Sequence, residues 1–167
     1  MDQAAAAATI TIRPAVSEDA DGIARVYLES AEHHASLDSR YWIPDAEVLR
    51  ARYREGRQHP PETAGKAITL VAEIGGEIAG FVDAWIERST DPLQRDILYC
   101  IINELAVSSR LRSQGTGGQL LQAAEDWGRQ RGAELAALSH LANNTRAAAF
   151  YQRMGYAAAA IREIKRL

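Results

Sequence analysis

Val107-Ser-Ser-Arg-Leu-Arg112-Ser-Gln-Gly115-Thr-Gly117-Gly118 is the stretch on which the reading of this chain turns. It leaves a nearly continuous apolar run, Ile97-Leu-Tyr-Cys-Ile-Ile-Asn-Glu-Leu-Ala-Val107, interrupted only by Asn103 and Glu104. Such a run is expected of a strand covered on both faces. Downstream, Gly117, Leu120, Leu121, Ala124, Trp127 and Gly128 recur at helical spacing over 116–131, with Gly132 as the stop. A buried strand therefore enters a glycine turn that opens a helix. Main-chain N–H groups at a helix start point outward, and the dipole adds roughly half a positive charge. Gly115 and Gly117 let the backbone approach an anion with no Cβ in the way. Arg110 and Arg112 add charge beside it. The same residues also describe an ordinary tight strand-to-helix turn. Two nucleotide motifs are excluded. A phosphate loop needs Lys after its second Gly, and none follows here; a dinucleotide turn needs Gly where Leu120 stands.

Working outward, 67–74 and 77–87 read as two strands joined by Gly75-Gly76, a pair suited to the positive φ of a tight hairpin. Ile10-Thr-Ile12, ending at Pro14, is a first strand. Ser17, Glu18 and Asp19 mark a helix start, followed by Ala20, Ile23, Ala24, Tyr27 and Ala31 at helical spacing. Residues 33–42 read as an irregular polar and aromatic stretch. A second helix from Asp45 is expected to bury Val48, Leu49 and Tyr53. Residues 56–66 form a loop around Pro60-Pro61. Residues 134–140 read as a short strand, 144–154 as a helix, and Tyr156 onward as a final strand. The order β-αα-β-β-β-α-β-α-β describes an α/β (α+β) fold with a mixed, mostly antiparallel sheet packed on helices.

Composition agrees with that class. The chain has 167 residues, 47% hydrophobic and 25% charged. That is enough for one domain over 10–167, behind a flexible, Ala-rich arm of residues 1–9. A net charge of −3 offers no overall attraction to nucleic acid or anionic lipid. No apolar run reaches the roughly 20 residues of a membrane span. The arm carries Asp2 and no basic region, so it is not read as a secretory leader. The single cysteine, Cys100, excludes a disulfide framework and a Cys-rich zinc site. It lies in the buried run and reads as a small core residue. A reducing, cytoplasmic setting is expected. His33-His34 is not a metal signal, since adjacent residues point apart on a helix and no third ligand sits at useful spacing.

Arg112-x-x-Gly115-x-Gly117 after Leu105-Ala-Val107 resembles the pyrophosphate-binding signature of the GCN5-related N-acetyltransferases. Asn144-x-x-Ala147-x-x-Phe150-Tyr151-x-x-x-Gly155-Tyr156 resembles that family's later motif. The element order resembles its fold as well. The resemblance implies a splayed strand pair holding acetyl-coenzyme A as co-substrate, and direct transfer of its acetyl group to a primary amine. It implies that Arg112, Ser113, Gln114, Gly115, Thr116, Gly117 and Gly118 cradle the diphosphate. Backbone groups of Leu105 and Val107 would pair with the pantetheine arm, and the Val107 N–H is the natural oxyanion donor. Asn144 would hydrogen-bond the arm, with Ala147 beside it; Asn144 equally suits a plain N-cap.

Direct attack needs a proton donor for the departing thiolate and a neutral amine. Tyr151 is the expected acid. Glu104 is the leading base, because it interrupts an apolar strand and burial raises a carboxylate's pKa. Asp83 is a second candidate, and ordered water a third. Glu29, Glu32, His33, His34, Asp38, Tyr41 and Trp42 are the candidate acceptor pocket, for a small-molecule or peptide amine; the same residues also read as a solvated helix end. A homodimer is compatible with the resemblance. The alternative function is a non-catalytic acyl-coenzyme A sensor of the same fold.

Overall fold

The computed structural model describes residues 9–112 and 114–166. The expected arm of residues 1–9 falls largely outside them, as does Ser113 of the glycine turn. Five strands, β1 (Ile10–Pro14), β2 (Ala67–Ile74), β3 (Glu77–Arg88), β4 (Leu98–Val107) and β5 (Leu135–Leu138), form one sheet in sequence order. The first three junctions are antiparallel and β4–β5 is parallel. The hairpin turns through Gly75 (φ 59°) and Gly76 (φ 82°), as the dipeptide predicts.

Helices cover both faces. α1 (Ala20–Leu37) and α2 (Ala46–Arg54) lie on one side, where Ile23, Val26 and Tyr53 pack on Val71, Phe81 and Ala106. α3 (Thr116–Gln130) lies on the other, where Leu120, Leu121, Ala124 and Trp127 meet Leu70, Val82, Cys100 and Ile102. α3 sits close because Gly128 abuts Cys100: a Cβ on Gly128 would stand 2.6 Å from that of Cys100. Burial pushes the Cys100 thiol up to about 11, so it stays a protonated core group. α4 (Thr145–Arg153) follows β5 and is capped by Asn144, whose Oδ1 accepts from the Ala147 N–H at 3.1 Å.

Three expectations are corrected. α1 runs on through His33 and His34 to Leu37 instead of breaking at 33. Val48 is 64% exposed; α2 presents Leu49 and Tyr53, four residues apart, to the core instead. No strand forms among the described residues after Tyr156. There the chain turns at Gly155 (φ 90°), and the Tyr156 hydroxyl is held by Glu125 Oε1 at 2.8 Å. The alanines of 157–160 then supply little side chain with which to hold a strand.

Candidate active site

The site begins with a register fault. Asp83 pairs with Glu104, but the next residue, Ala84, pairs with Ile102. Asn103 is therefore the extra residue of a β-bulge. One inserted residue reverses the alternation of side chains. Cys100 and Ile102 point to the α3 layer, whereas Ala106, at the same parity, points to the α1 layer. Glu104 shares the face of Ala106 and is turned toward α1. Ser30 Oγ on α1 donates to Glu104 Oε1 at 3.0 Å. Burial raises the Glu104 carboxyl to about 7; the Ser30 hydrogen bond opposes the rise and the Asp83 charge adds to it.

The bulge also marks where the sheet parts. β5 pairs with β4 only from Tyr99–Leu135 to Ile102–Leu138. Beyond Ile102, β4 has no neighbour on that side among the described residues. The Ser108 N–H donates to Ala79 O at 2.8 Å, so Ser108 is a hydrogen-bonded position facing β3. By antiparallel alternation Leu105 and Val107 turn their N–H and C=O groups the other way, into the gap. The Val107 carbonyl already accepts from Arg112 Nε at 3.1 Å. That bond fixes Arg112 across the turn and leaves the Val107 N–H and the Leu105 groups facing the opening.

At one end of the gap stands the start of α3. Gly115 is its N-cap in the left-handed region (φ 80°). Gly117 lies against Val107 and Phe150, and Gly118 against Met154, at ordinary contact distance. The Thr116 side chain is 1% exposed, and its Oγ1 has no partner among the described residues. An orphaned hydroxyl beside free helix-start N–H groups is the donor set that a diphosphate requires, so these residues fit the expected carrier. At the other end α4 brings Tyr151, stacked with His140 at 5.9 Å and edge-on to Phe150 and Tyr156. Burial, with the charge of Glu104, raises its phenol to about 12. The Tyr151 hydroxyl is thus fully protonated at neutral pH.

Other predicted residues fall elsewhere. Asp83 is 2% exposed, with one oxygen accepting from Tyr53 at 2.7 Å and the other from Thr69 at 2.6 Å. Those bonds make it a structural anchor. Glu29 accepts from Ser108 Oγ (3.1 Å) and the Ser109 N–H (2.6 Å), tying α1 to the end of β4. Burial favours its neutral form, but the Ser109 and Ser108 bonds and Arg25 hold it below the usual carboxylate range. Asp38 is bound by Arg40. Both acids leave the expected acceptor pocket. Tyr41 and Trp42 remain half-exposed and exposed beyond the end of α1, with Tyr41 stacked on His34 at 5.6 Å. Sequence reading missed Ser30. Its only signal was its place one turn beyond Tyr27 on α1. A concavity of about 840 Å3 lies between α1 and the β2–β3 hairpin and takes in Glu29 and Glu32 of α1. Its arginines are bridged to its own acids, Arg13 to Asp19 and Glu73 and Arg25 to Glu77.

A sheet that parts at a bulge, beside a glycine turn that opens a helix, frames the site. The chain belongs to the acetyltransferase (GNAT) family, whose model matches residues 28–156. It is 30% identical over 148 residues to the uncharacterized N-acetyltransferase YhfO of Bacillus subtilis, covering 88% of this chain and 89% of that protein. Its fold matches a mutant of the BH1408 protein from Bacillus halodurans (TM-score 0.80, 21% identity, 94% of this chain and 99% of that one). It also matches the aminoglycoside N-acetyltransferase AAC(6')-Iy, solved with CoA (TM-score 0.75, 17% identity, 98% and 97%). The protein is an enzyme of the acetyltransferase class, and its family uses acetyl-coenzyme A.

Proposed function

We propose that the protein transfers an acetyl group from acetyl-coenzyme A directly to the primary amine of a small cationic acceptor. The reversal at the Asn103 bulge carries this reading, because it sets a carboxylate with a pKa near neutrality on the α1 side of an opened sheet.

The helix-start amides around Gly115, with Thr116 and Arg112, hold the diphosphate. Leu105 and Val107 pair with the pantetheine arm as an added strand would. The Asn144 NH2 group, which its cap leaves free, adds a donor to the arm, with Ala147 beside it. Glu104 takes a proton from the acceptor, which as a primary amine near pKa 10 arrives mostly charged. The amine then attacks the thioester carbonyl. The Val107 N–H meets the oxygen that gains charge, in a position prepared before reaction. Tyr151 gives its proton to the sulfur as the carbon–sulfur bond breaks, and recovers it from solvent. No acyl-enzyme is needed, since the donor is already a thioester.

A cationic acceptor suits the net charge of −3, the exposed Glu32 at the end of α1, and the aromatic rim of Tyr41 and Trp42. The AAC(6')-Iy fold has also been solved with the bisubstrate analogue CoA-S-monomethyl-acetylneamine. The test is thiol release from acetyl-coenzyme A with neamine, spermidine, free amino acids and lysine peptides. Turnover on a polycationic amine is expected. Tight carrier binding with no turnover on any amine would make the protein a sensor, and no binding by calorimetry would remove the donor site.

A further inference from the structure

A base that takes one proton per turnover must lose it before the next. Glu104 is poorly placed to do so alone, because a bound donor and acceptor would fill the opening in front of it. Its surroundings offer few exits. Asp83, from β3, is occupied by Tyr53 and Thr69. Tyr27 of α1, Tyr53 of α2 and Tyr151 of α4 lie near enough to feel its charge, but none of them hydrogen-bonds to it. One side chain does. Ser30 Oγ is 3.0 Å from Glu104 Oε1, and His34 Nδ1 is 3.5 Å from Ser30 Oγ. Ser30 and His34 stand four apart on one face of α1, so helix geometry lines them up from the sheet outward. The half-buried His34 ring is steadied on Tyr41.

We infer that Ser30 and His34 are the proton exit from Glu104, carrying each abstracted proton along α1 to solvent. The inference rests on Glu104 being the base. A serine suits the middle place because its hydroxyl donates and accepts at once. The proton leaves Glu104 for Ser30 Oγ as the Ser30 hydroxyl proton passes to His34 Nδ1. The imidazolium so formed turns outward, gives its Nδ1 proton to water, and turns back as the starting Nε2–H tautomer with Nδ1 open to Ser30. Glu104 regains its charge and one proton reaches solvent. Burial, and then the neighbouring His33, hold His34 below the usual histidine pKa against a bond to the Ser30 backbone, so the ring is neutral between passages. Ser30 and His34 are positioning residues here; neither touches substrate.

The test has two arms on the full chain. In the ligand-free protein, nitrogen-15 NMR of His34 is expected to show a neutral ring at pH 7 whose Nδ1 accepts a hydrogen bond, a feature lost in Ser30→Ala. An Nδ1–H ring throughout pH 6–8 overturns the exit, and this arm needs no acceptor. The second arm reads turnover with acetyl-coenzyme A and neamine. Ser30→Ala and His34→Ala are expected to lower kcat about tenfold at unchanged KM. Ser30→Thr should keep wild-type turnover, and imidazole in the buffer should restore His34→Ala. Loss in Glu104→Gln with full activity in both α1 variants overturns the exit alone. Full activity in Glu104→Gln overturns the base itself.

Discussion

Glu104→Gln is the most informative single substitution, because it should make the protein more stable while disabling it. The folded carboxyl titrates at about 7, against 4.5 for the free group. Below pH 4.5 the group is protonated in both folded and unfolded chains and penalises neither. As pH climbs toward 7 the unfolded chain ionises freely and the folded one resists, so stability is lost over that window and stays lost above it. A rise of that size corresponds to about 3 kcal/mol. The carboxylate keeps some contact with solvent, and screening there reduces the figure to about 1–2 kcal/mol. Glutamine has nearly the same shape, keeps an oxygen for the Ser30 hydroxyl, and carries no charge. Glu104→Gln should therefore unfold roughly 2–8 °C higher than wild type at pH 8.5, with the difference shrinking toward zero by pH 4. Comparing the two proteins at each pH cancels the other carboxylates. Turnover should fall 100-fold or more, as expected on removing a base. Thermal unfolding at the two pH values, paired with thiol release, checks both halves. A variant no more stable than wild type at pH 8.5 would falsify the argument that Glu104 is held in an unfavourable site.

Tyr151→Phe removes the acid and keeps the ring stacked with His140, so kcat should drop 10²- to 10³-fold while calorimetric affinity for acetyl-coenzyme A changes less than twofold; equal turnover would take Tyr151 out of the chemistry. Asn144 separates two roles: Asn144→Asp keeps the Oδ1 cap on the Ala147 N–H but loses the NH2 donor. It should hold stability within about 0.5 kcal/mol and weaken carrier binding, whereas Asn144→Ala should cost about 1 kcal/mol as well, both read by urea unfolding and calorimetry. Gly128→Ala drives a methyl to 2.6 Å from the Cys100 Cβ; a loss of about 1–3 kcal/mol in urea is expected, and a neutral result would mean that α3 can slide outward freely.

Much of the fold was legible because it is set locally. Apolar runs, the Gly75-Gly76 turn and the caps at Asp45 and Asn144 each depend on neighbours within a few residues. The glycine turn before α3 and the helix that carries Tyr151 were legible for the same reason: each belongs to a short pattern. The acceptor side was not. Glu29 and Asp38 looked like free acids, yet one is consumed by Ser108 and Ser109, 79 and 80 residues away, and the other by Arg40 close by. Ser30 carried no signal beyond its place one turn past Tyr27, and its contact is with a residue 74 positions later.

By itself the sequence determined the order of the strands and helices as far as α4, the glycine turn at Gly115 that opens a helix, and the presence of an acid in the buried run. Only the tertiary structure decided which way that acid faces. Strand alternation taken from Ile102 sends Glu104 into the α3 core, where a carboxylate would have no partner. The bulge at Asn103 reverses the parity and turns it to Ser30. A bulge exists only in the register between two strands, so no run of residues within one strand can announce it.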